Sequence, residues 1–233
     1  MVPRVLRIGT CLDSATVVYY TSNCEDPEFE YRIRRHLVAT AQGLPIVSVS
    51  HKPIDFGQNI CVGDVGVSNI NIFRQMMIGA EAARSRYIFT AESDFIHPWQ
   101  WFRFRPDIPS TMYVGTPLYL LFGQRGARKV YCLKERGSEG AMIAERELLL
   151  ACLKRMLAGK PEWADTPGHG RDVIRMPYLS RLGRVEQYPL PQAIVSFRTG
   201  RQLHRKTPWL AGSEVRELPC WGTAESLIDR FIP

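Results

Sequence analysis

The chain has 233 residues, which is enough for one large α/β domain or two small ones. Its hydrophobic fraction of 45% is ordinary for a globular protein, and no apolar run approaches the roughly 20 residues that span a bilayer. The N-terminal segment lacks the continuous apolar stretch of a signal peptide. The six cysteines are scattered without C-x-x-C spacing, which favours reduced thiols in the cytoplasm over disulfides or a zinc site.

The basic residues are unevenly distributed along the chain. Thirty Lys and Arg against 23 Asp and Glu give a net charge of +7. Between Arg171 and Lys206, eight basic residues face only Asp172 and Glu186. An Arg-rich segment suits a polyanionic partner such as a nucleic acid, because guanidinium groups bind phosphate oxygens in pairs. A basic surface without such a partner is the alternative.

The first half of the chain begins with strand and helix patterns in turn. The apolar, β-branched run Thr16–Thr21 predicts a buried strand. Apolar residues then recur at every fourth position between Pro27 and Gly43, which predicts an amphipathic helix. Pro45–Ser50 predicts a second strand.

The same alternation continues after a glycine-rich loop, His51–Gly66. Ile70, Phe73, Met77 and Ala80 mark a second amphipathic helix, and a third strand begins at Tyr87. Strand, helix, strand, helix, strand is typical of a parallel α/β sheet with right-handed crossovers.

After Pro98 the pattern changes, although no linker separates the two parts. Strand-like runs at Met112–Thr116 and Lys129–Leu133 precede a predicted helix, Ala141–Ala158. From Gly159 onward the chain is rich in Pro, Gly and Arg, with short strand candidates. We therefore expect a single α/β domain with a mixed sheet, divided into halves at about 16–98 and about 99–233.

The run Glu92-Ser93-Asp94 ends the third predicted strand with two carboxylates one residue apart. Alternate residues of an extended chain point the same way, so both carboxylates can converge on one ion. Ligands of α/β proteins gather outside the carboxyl ends of the strands, and Mg²⁺ or Mn²⁺ held by carboxylates there usually also binds substrate phosphates. A solvated turn with a capping Asp is the alternative.

Two further segments are candidates for binding phosphate or metal. The loop after the second strand presents His51 and Lys52, although its glycines match no known phosphate-binding pattern. The basic run from Val195 onward contains Arg198, His204 and Lys206: the imidazole is a candidate metal ligand, and the cations are candidate diphosphate contacts. His169 competes with the histidine of this run for the role of metal ligand.

Four carboxylates in the second half are candidates for a general acid or base, since each lies in or near a loop where an acceptor can enter. Most of such residues are plain surface groups, and the pattern does not select one. The four are Glu139, Glu162, Asp165 and Asp172.

These motifs together resemble the GT-A family of nucleotide-sugar glycosyltransferases. The resemblance rests on Tyr20-Thr21-Ser22 at the end of the first strand, on Glu92-Ser93-Asp94, and on the late His-containing basic loop. It implies that the first tripeptide meets the nucleotide base, that Asp94 is the principal ligand of Mn²⁺ or Mg²⁺, and that Glu92 contacts the ion or the donor sugar. His204 is implied as a possible late metal ligand. The family's commonest motif has Asp where this chain has Glu92, which leaves open a direct bond from Glu92 to the ion.

Two segments are similar to bacteriophage-type glycosyltransferases, including those associated with TET-like oxygenases. They run from Leu44 to Asp94 and from Leu218 to Ala224, and the whole resemblance covers about residues 16 to 225. It implies transfer of a sugar from a nucleotide-diphosphate sugar, a UDP-sugar in the first instance, to 5-hydroxymethylcytosine in DNA. It also implies a cytoplasmic location, in the host if the gene belongs to a phage.

The resulting hypothesis is a metal-dependent glycosyltransferase. Lys52, Ser93, Arg198 and Lys206 are its further donor contacts, and Glu139 or Asp165 is its base if the reaction inverts. The aromatic residues Trp99, Trp101 and Phe102 are interpreted either as a stacking platform for an extruded base or as core. A saccharide acceptor, and a nucleic-acid-binding module without activity, are the alternative functions.

Overall fold

The computed structural model describes residues 15–125, 128–135, 137–164, 183–198 and 213–233. Within them the first half is the expected parallel unit. It consists of β1 (Ala15–Thr21), α1 (Pro27–Ala41), β2 (Ile46–Ser50), α2 (Asn69–Ala82) and β4 (Tyr87–Glu92). A short strand that the sequence did not predict, β3 (Gln58–Cys61), pairs in parallel with β2 inside the glycine-rich loop.

The two helices of this half begin and end at residues that cap them. Asp26 accepts hydrogen bonds from the backbone N–H groups of Glu28 and Phe29 at the start of α1, and Pro27 occupies its first turn. Ser68 caps α2 through the N–H of Asn71. The apolar face of α1 is buried as its fourfold spacing predicted, whereas in α2 Met76, rather than Met77, is fully buried.

The second half extends the sheet beyond β4, at one edge of the parallel unit. Its elements are β5 (Phe95–Ile96), α3 (Trp99–Arg103), β6 (Thr111–Arg125), β7 (Arg128–Lys134), β8 (Met142–Glu145), α4 (Arg146–Leu157), β9 (Arg184–Arg198), β10 (Glu214–Val215), β11 (Glu217–Leu218), β12 (Gly222–Thr223) and α5 (Ala224–Phe231). Ten strands form one sheet in the order β10-β7-β6-β8-β4-β1-β2-β3, with β9 paired to β5 and β6. The described residues thus have the expected α/β fold with a mixed central sheet.

Three expectations about the second half are corrected. The strand predicted at 112–116 extends over Thr111–Arg125, and the region expected to hold only short strands contains the long strand β9. The helix predicted from residue 141 begins only at Arg146, because Met142–Glu145 forms antiparallel pairs with β4 and β6. The short helix α3 and the terminal helix α5 had no sequence prediction.

The aromatic cluster is part of the core. Trp101 and Phe102 are buried, and both rings contact Phe89 edge-on. Phe104 stacks on Tyr188 with 3.7 Å between ring centroids. The interpretation of Trp101 and Phe102 as a stacking platform for an extruded base is therefore wrong. Trp99, 47% exposed, is the member of the set that solvent reaches.

Candidate functional site

The strand register brings three chain segments together at the carboxyl edge of the parallel strands. Tyr20 of β1 lies beside Glu92 of β4, and Thr21 lies beside Ser50 of β2. The buried amide of Gln75 on α2 donates to the carbonyl oxygens of Thr21 at 2.8 Å and of Val49 at 3.2 Å. These bonds hold the ends of β1 and β2 together, so the edge is a fixed platform.

The side chains of the predicted acidic pair, Glu92 and Asp94, are partly exposed at this edge, in a region that we call the recess. Glu92 is the last residue of β4, and Ser93 and Asp94 form the turn into β5. Asp94 is anchored by β9: its Oδ2 accepts a hydrogen bond from Ser196 Oγ at 3.2 Å, and its carbonyl accepts one from the N–H of Phe197 at 2.7 Å. One strand of the second half therefore fixes the principal predicted metal ligand.

The environment of the two carboxyl groups disfavours their ionisation. Burial, together with repulsion from Asp94 and Glu139, raises the pKa of Glu92 to about 8. Burial raises the pKa of Asp94 to about 6, although Arg198 and the Ser196 hydroxyl stabilise its charged form. The pair therefore retains a proton near neutral pH unless another cation replaces it.

Two cations and a third carboxylate surround the pair. Lys134 is the last residue of β7, Arg198 is the last residue of β9, and Glu139 begins the 3₁₀ turn Glu139–Ala141. Burial lowers the pKa of Lys134, whereas the charge of Glu139 raises it. The recess thus offers basic groups to an anionic ligand close to the carboxylates.

Lys134 was absent from the sequence predictions. The sequence does place a cation there, because Lys134 directly follows the predicted strand 129–133. Only the antiparallel pairing of β7 with β6 brings it toward Glu92, and that pairing has no local pattern.

The residues of the predicted base-binding tripeptide, Tyr20-Thr21-Ser22, differ in their surroundings. Tyr20 is buried, its hydroxyl has no hydrogen-bond partner among the described residues, and burial together with the nearby charge of Glu92 raises its pKa. The Thr21 hydroxyl donates to Glu30 Oε1 at 2.9 Å and accepts from the N–H of Asn23 at 2.8 Å. Thr21 therefore orders the turn after β1, while half-buried Ser22 leads into it.

A cleft of about 180 Å³ lies beside this turn. The exposed Lys52 lines the cleft, and the backbone N–H of Lys52 donates to Asn23 Oδ1 at 2.8 Å. The cleft also contains a largely buried ion pair between Glu30 and Arg34, 3.3 Å apart. The lining residues are Asn23, Glu25, Pro27, Glu30, Arg34, Lys52, Pro53 and Ile54.

The glycine-rich loop is tied to the sheet. Asn59 Nδ2 donates to the hydroxyls of Ser48 at 3.0 Å and Ser50 at 2.9 Å, while Asn59 Oδ1 accepts from the N–H of Ile54 at 3.1 Å. A Cβ at Gly57 would lie 2.4 Å from the carbonyl oxygen of Ile46. Gly57 therefore permits close approach of the loop to β2.

Several predicted site residues lie outside the described residues: Asp165, His169, Asp172, His204 and Lys206. Glu162 is described and exposed. The N–H of Ala164 donates to Asn71 Oδ1 at 2.9 Å, and the carbonyl oxygen of Ala164 accepts from Asn71 Nδ2 at 3.0 Å. These two hydrogen bonds hold Ala164, the residue before Asp165, beside α2.

The acidic pair fits a hard divalent cation. Carboxylate oxygens are the preferred ligands of Mg²⁺ and suit Mn²⁺, and the raised pKa values indicate a site where added positive charge is favourable. Among the described residues, no three His, Cys, Asp or Glu side chains form a group that holds a metal. Such an ion would therefore depend on ligand phosphates or on other parts of the chain.

Comparison with solved structures found proteins of similar layout. One is S. aureus TarS 1–349 in complex with UDP-GlcNAc, 10% identical, with a TM-score of 0.48 over 83% of this chain and 61% of that one. A second is a glycosyltransferase involved in glycosylation of the major capsid of PBCV-1, 12% identical, with a TM-score of 0.42 over 75% and 81%. A third is the bifunctional IspDF of Campylobacter jejuni, 10% identical, with a TM-score of 0.44 over 77% and 50%.

The chain thus spans half of the IspDF chain and about three fifths of the TarS chain. No protein-family model and no curated protein matches the sequence. In the portion of the chain that the structure describes, every helix is too short or too polar to cross a membrane.

Proposed function

We propose that this protein is a metal-dependent glycosyltransferase that moves a sugar from a nucleotide diphosphate to a hydroxyl group. One observation carries the proposal. Two carboxylates that resist ionisation stand at the carboxyl end of the central parallel strands and share their recess with Lys134 and Arg198. This combination suits a divalent ion bridging to a diphosphate whose remaining charge the two basic side chains neutralise.

The donor would lie across the edges of β1, β2 and β4. The cleft beside Lys52 and Asn23 would take the nucleotide base, for which we propose uracil, and Ser22 would lie next to it. The diphosphate would then reach Asp94, with Ser93 and Glu92 beside the ribose or the sugar. Tyr20 supports this path, because its buried and unpartnered hydroxyl lies near the acidic pair.

The chemical roles follow from the charges in the recess. A bound Mn²⁺ or Mg²⁺ supplies positive charge to the departing diphosphate. Lys134 and Arg198 would neutralise the remaining charge of the diphosphate. Glu139 is the proposed base for an inverting reaction, because it lies in the cluster with Lys134 and Glu92 and a carboxylate there can accept the acceptor's proton. Asp165, just beyond the segment anchored by Asn71, is the competing base.

For the acceptor we propose DNA containing 5-hydroxymethylcytosine. The net charge of +7 and the basic residues between Arg171 and Lys206 support a polyanion. Burial of Trp101 and Phe102 removes the aromatic support for this acceptor, although Trp99 stays exposed. A saccharide acceptor is the competing enzyme function, and its sugar rings would also pack on such a side chain.

Donor hydrolysis tests the enzymatic proposal. UDP-sugars are incubated with the protein and Mn²⁺, and UDP release is measured for the wild type, Asp94→Asn and Asp229→Asn. Asp229 is an exposed surface carboxylate and serves as the control. We expect a loss of roughly a hundredfold or more in Asp94→Asn alone, because a metal ligand is removed. No metal-dependent release across a panel of nucleotide sugars would favour the binding module without activity.

Digestion to nucleosides tests the acceptor. DNA with and without 5-hydroxymethylcytosine is incubated with protein, Mn²⁺ and the active donor, digested and analysed by mass. We expect the mass of one sugar on the hydroxymethylated nucleoside only. Release of UDP without added mass on this nucleoside rejects the DNA acceptor, and saccharide acceptors are then tested in the same reaction.

A further inference from the structure

His97 lies next to the candidate site without facing its recess. It follows Asp94 by three residues, in the connection between β5 and α3, and it is fully buried. Its Nε2 lies 2.7 Å from the carbonyl oxygen of Gly140. Because a carbonyl only accepts, Nε2 carries the hydrogen and donates.

Gly140 connects this hydrogen bond to the acidic pair. It is the middle residue of the 3₁₀ turn Glu139–Ala141. A Cβ at Gly140 would lie 2.6 Å from Glu92 Oε2 and 2.9 Å from the ring of Phe95, so the glycine backbone packs directly on the carboxylate. The position of this turn therefore decides where the Glu92 carboxylate lies.

The same turn carries Glu139, the proposed base. The Thr90 hydroxyl donates to the carbonyl of Glu139 and accepts from the N–H of Met142 at 2.9 Å. Thr90 thus holds the turn to β4 at its two ends. The bond from His97 holds the middle of the turn, where Gly140 contacts Glu92.

His97 is itself fixed in one orientation. Its ring stacks on Phe95 at 5.9 Å between centroids and lies 5.6 Å from Phe102. Its backbone carbonyl accepts a hydrogen bond from His36 Nε2 at 3.0 Å. Burial lowers the pKa of His97 to about 4, so the imidazole is neutral at physiological pH and acts as a constant donor.

We propose that His97 is a positioning residue, which holds the Glu139–Ala141 turn against Glu92 through its hydrogen bond to Gly140. It thereby aligns Glu92 and Glu139 with the reacting groups without touching them. The inference rests on the proposed function for its effect on turnover. Its effect on the turn does not depend on that function.

Two variants of similar length separate the hydrogen bond from the volume of the side chain. His97→Gln retains an N–H donor, whereas His97→Met does not. We expect kcat for sugar transfer to fall at least about tenfold in His97→Met, with the KM for the donor within about threefold of the wild type, because misplaced reacting groups affect turnover more than donor binding. His97→Gln should recover most of the loss.

Amide hydrogen exchange gives a readout that needs no activity. Exchange in the segment 138–142 should accelerate in His97→Met and stay near wild type in His97→Gln, while the amides of β1 remain protected in both. If this pattern holds and the wild type transfers no sugar to any acceptor, the proposed function fails and the structural role of His97 stands. Wild-type exchange and kcat in His97→Met, or equal losses in both variants, would overturn the inference.

Gly140→Ala tests the same contact from the other side and covers the case in which His97→Met does not fold. Its Cβ would displace the Glu92 carboxylate while His97 stays intact. We expect a fall in kcat of the same size. Wild-type turnover in this variant would show that the turn does not set the position of Glu92, and the inference would be wrong.

Discussion

At the scale of single residues, the recess places carboxylates of raised pKa beside cations. The charge of Asp94 repels that of Glu92 and helps to raise its pKa. Lys134 and Arg198 lie close enough to favour the charged forms, yet burial still dominates the pKa of Glu92. Such an arrangement costs stability in the free protein, and a ligand that brings positive charge removes that cost.

The pKa of Glu92 predicts how stability changes with pH. An acid that binds its proton more tightly when folded contributes its full stability below the ordinary pKa of 4.5 and loses that contribution as the pH rises toward 8. Glu92→Gln stays neutral, so without metal it should be more stable than the wild type at about pH 8.5, by about 1 kcal/mol or more, with this advantage absent at about pH 4. Urea unfolding at both pH values measures the difference. Glu217→Gln, at an exposed site, is the control, and an advantage of Glu92→Gln that does not depend on pH would contradict the prediction.

Lys134 allows a second prediction at this scale. Lys134→Met keeps most of the side-chain volume and removes the charge that faces the acidic pair. We expect kcat to fall about tenfold to a hundredfold, because stabilisation of the departing diphosphate is lost. Steady-state kinetics of sugar transfer measure it against Lys129→Met, whose ammonium pairs with Asp229 at the surface. Equal activity of the two variants would remove Lys134 from the site.

At the scale of elements, the packing of α2 on β1 holds the platform in place. A Cβ at Gly79 would lie 2.4 Å from Val18 Cγ1 and 3.3 Å from Val49 Cγ2, so the helix backbone rests almost directly on the two strands. Gln75, one turn earlier on the same helix, bonds to the ends of these strands. Close packing of α2 and the geometry of the strand ends are therefore coupled.

Gly79→Ala tests this coupling. The added methyl group should cost about 1 to 3 kcal/mol of unfolding free energy, because the helix must move away from β1. Gly123→Ala is the matched control, since its Cβ would meet Ile228 Cδ1 at an ordinary 3.4 Å, and it should change stability by less than about 0.5 kcal/mol. Denaturant unfolding of both variants measures the difference, and a tolerated Gly79→Ala would show that α2 has room to shift.

The elements also show where local patterns predict structure and where they do not. The bounds of β1, α1 and β2 follow from apolar spacing and caps within the elements themselves. β9 was missed because Pro189 and Pro191 interrupt its pattern; a register irregularity opposite them, between Thr116 and Leu118 of β6, lets the strand continue. Residues 142–145 have helix-compatible side chains, and only their pairing with β4 and β6 makes them a strand.

At the scale of the whole molecule, the same distinction applies to the candidate site. Glu92 and Asp94 were predictable, because one short segment contains both the strand and the carboxylates. Lys134 and His97 were not, since their proposed roles depend on the pairing of distant strands and on a turn 43 residues away. The second half of the chain therefore contributes to the candidate site, whose acidic pair lies in the first half.

Ligand binding to the whole protein should reflect this division of the site. Protons compete with a divalent ion for Glu92 and Asp94, so the affinity for Mg²⁺ with UDP should increase between about pH 6 and pH 8. Ligand at about a hundred times its Kd adds about 2.7 kcal/mol of stability, which raises the melting temperature by several degrees. Thermal unfolding with Mg²⁺ and UDP at both pH values should therefore show the larger increase in melting temperature at pH 8.

Two variants test whether this shift in melting temperature depends on the acidic pair. Asp94→Asn should reduce the shift at both pH values, and Asp229→Asn should leave it unchanged. A shift of equal size at both pH values would place the ion away from the acidic pair, whereas a shift without Mg²⁺ would show that the nucleotide binds through the cleft and the basic side chains alone.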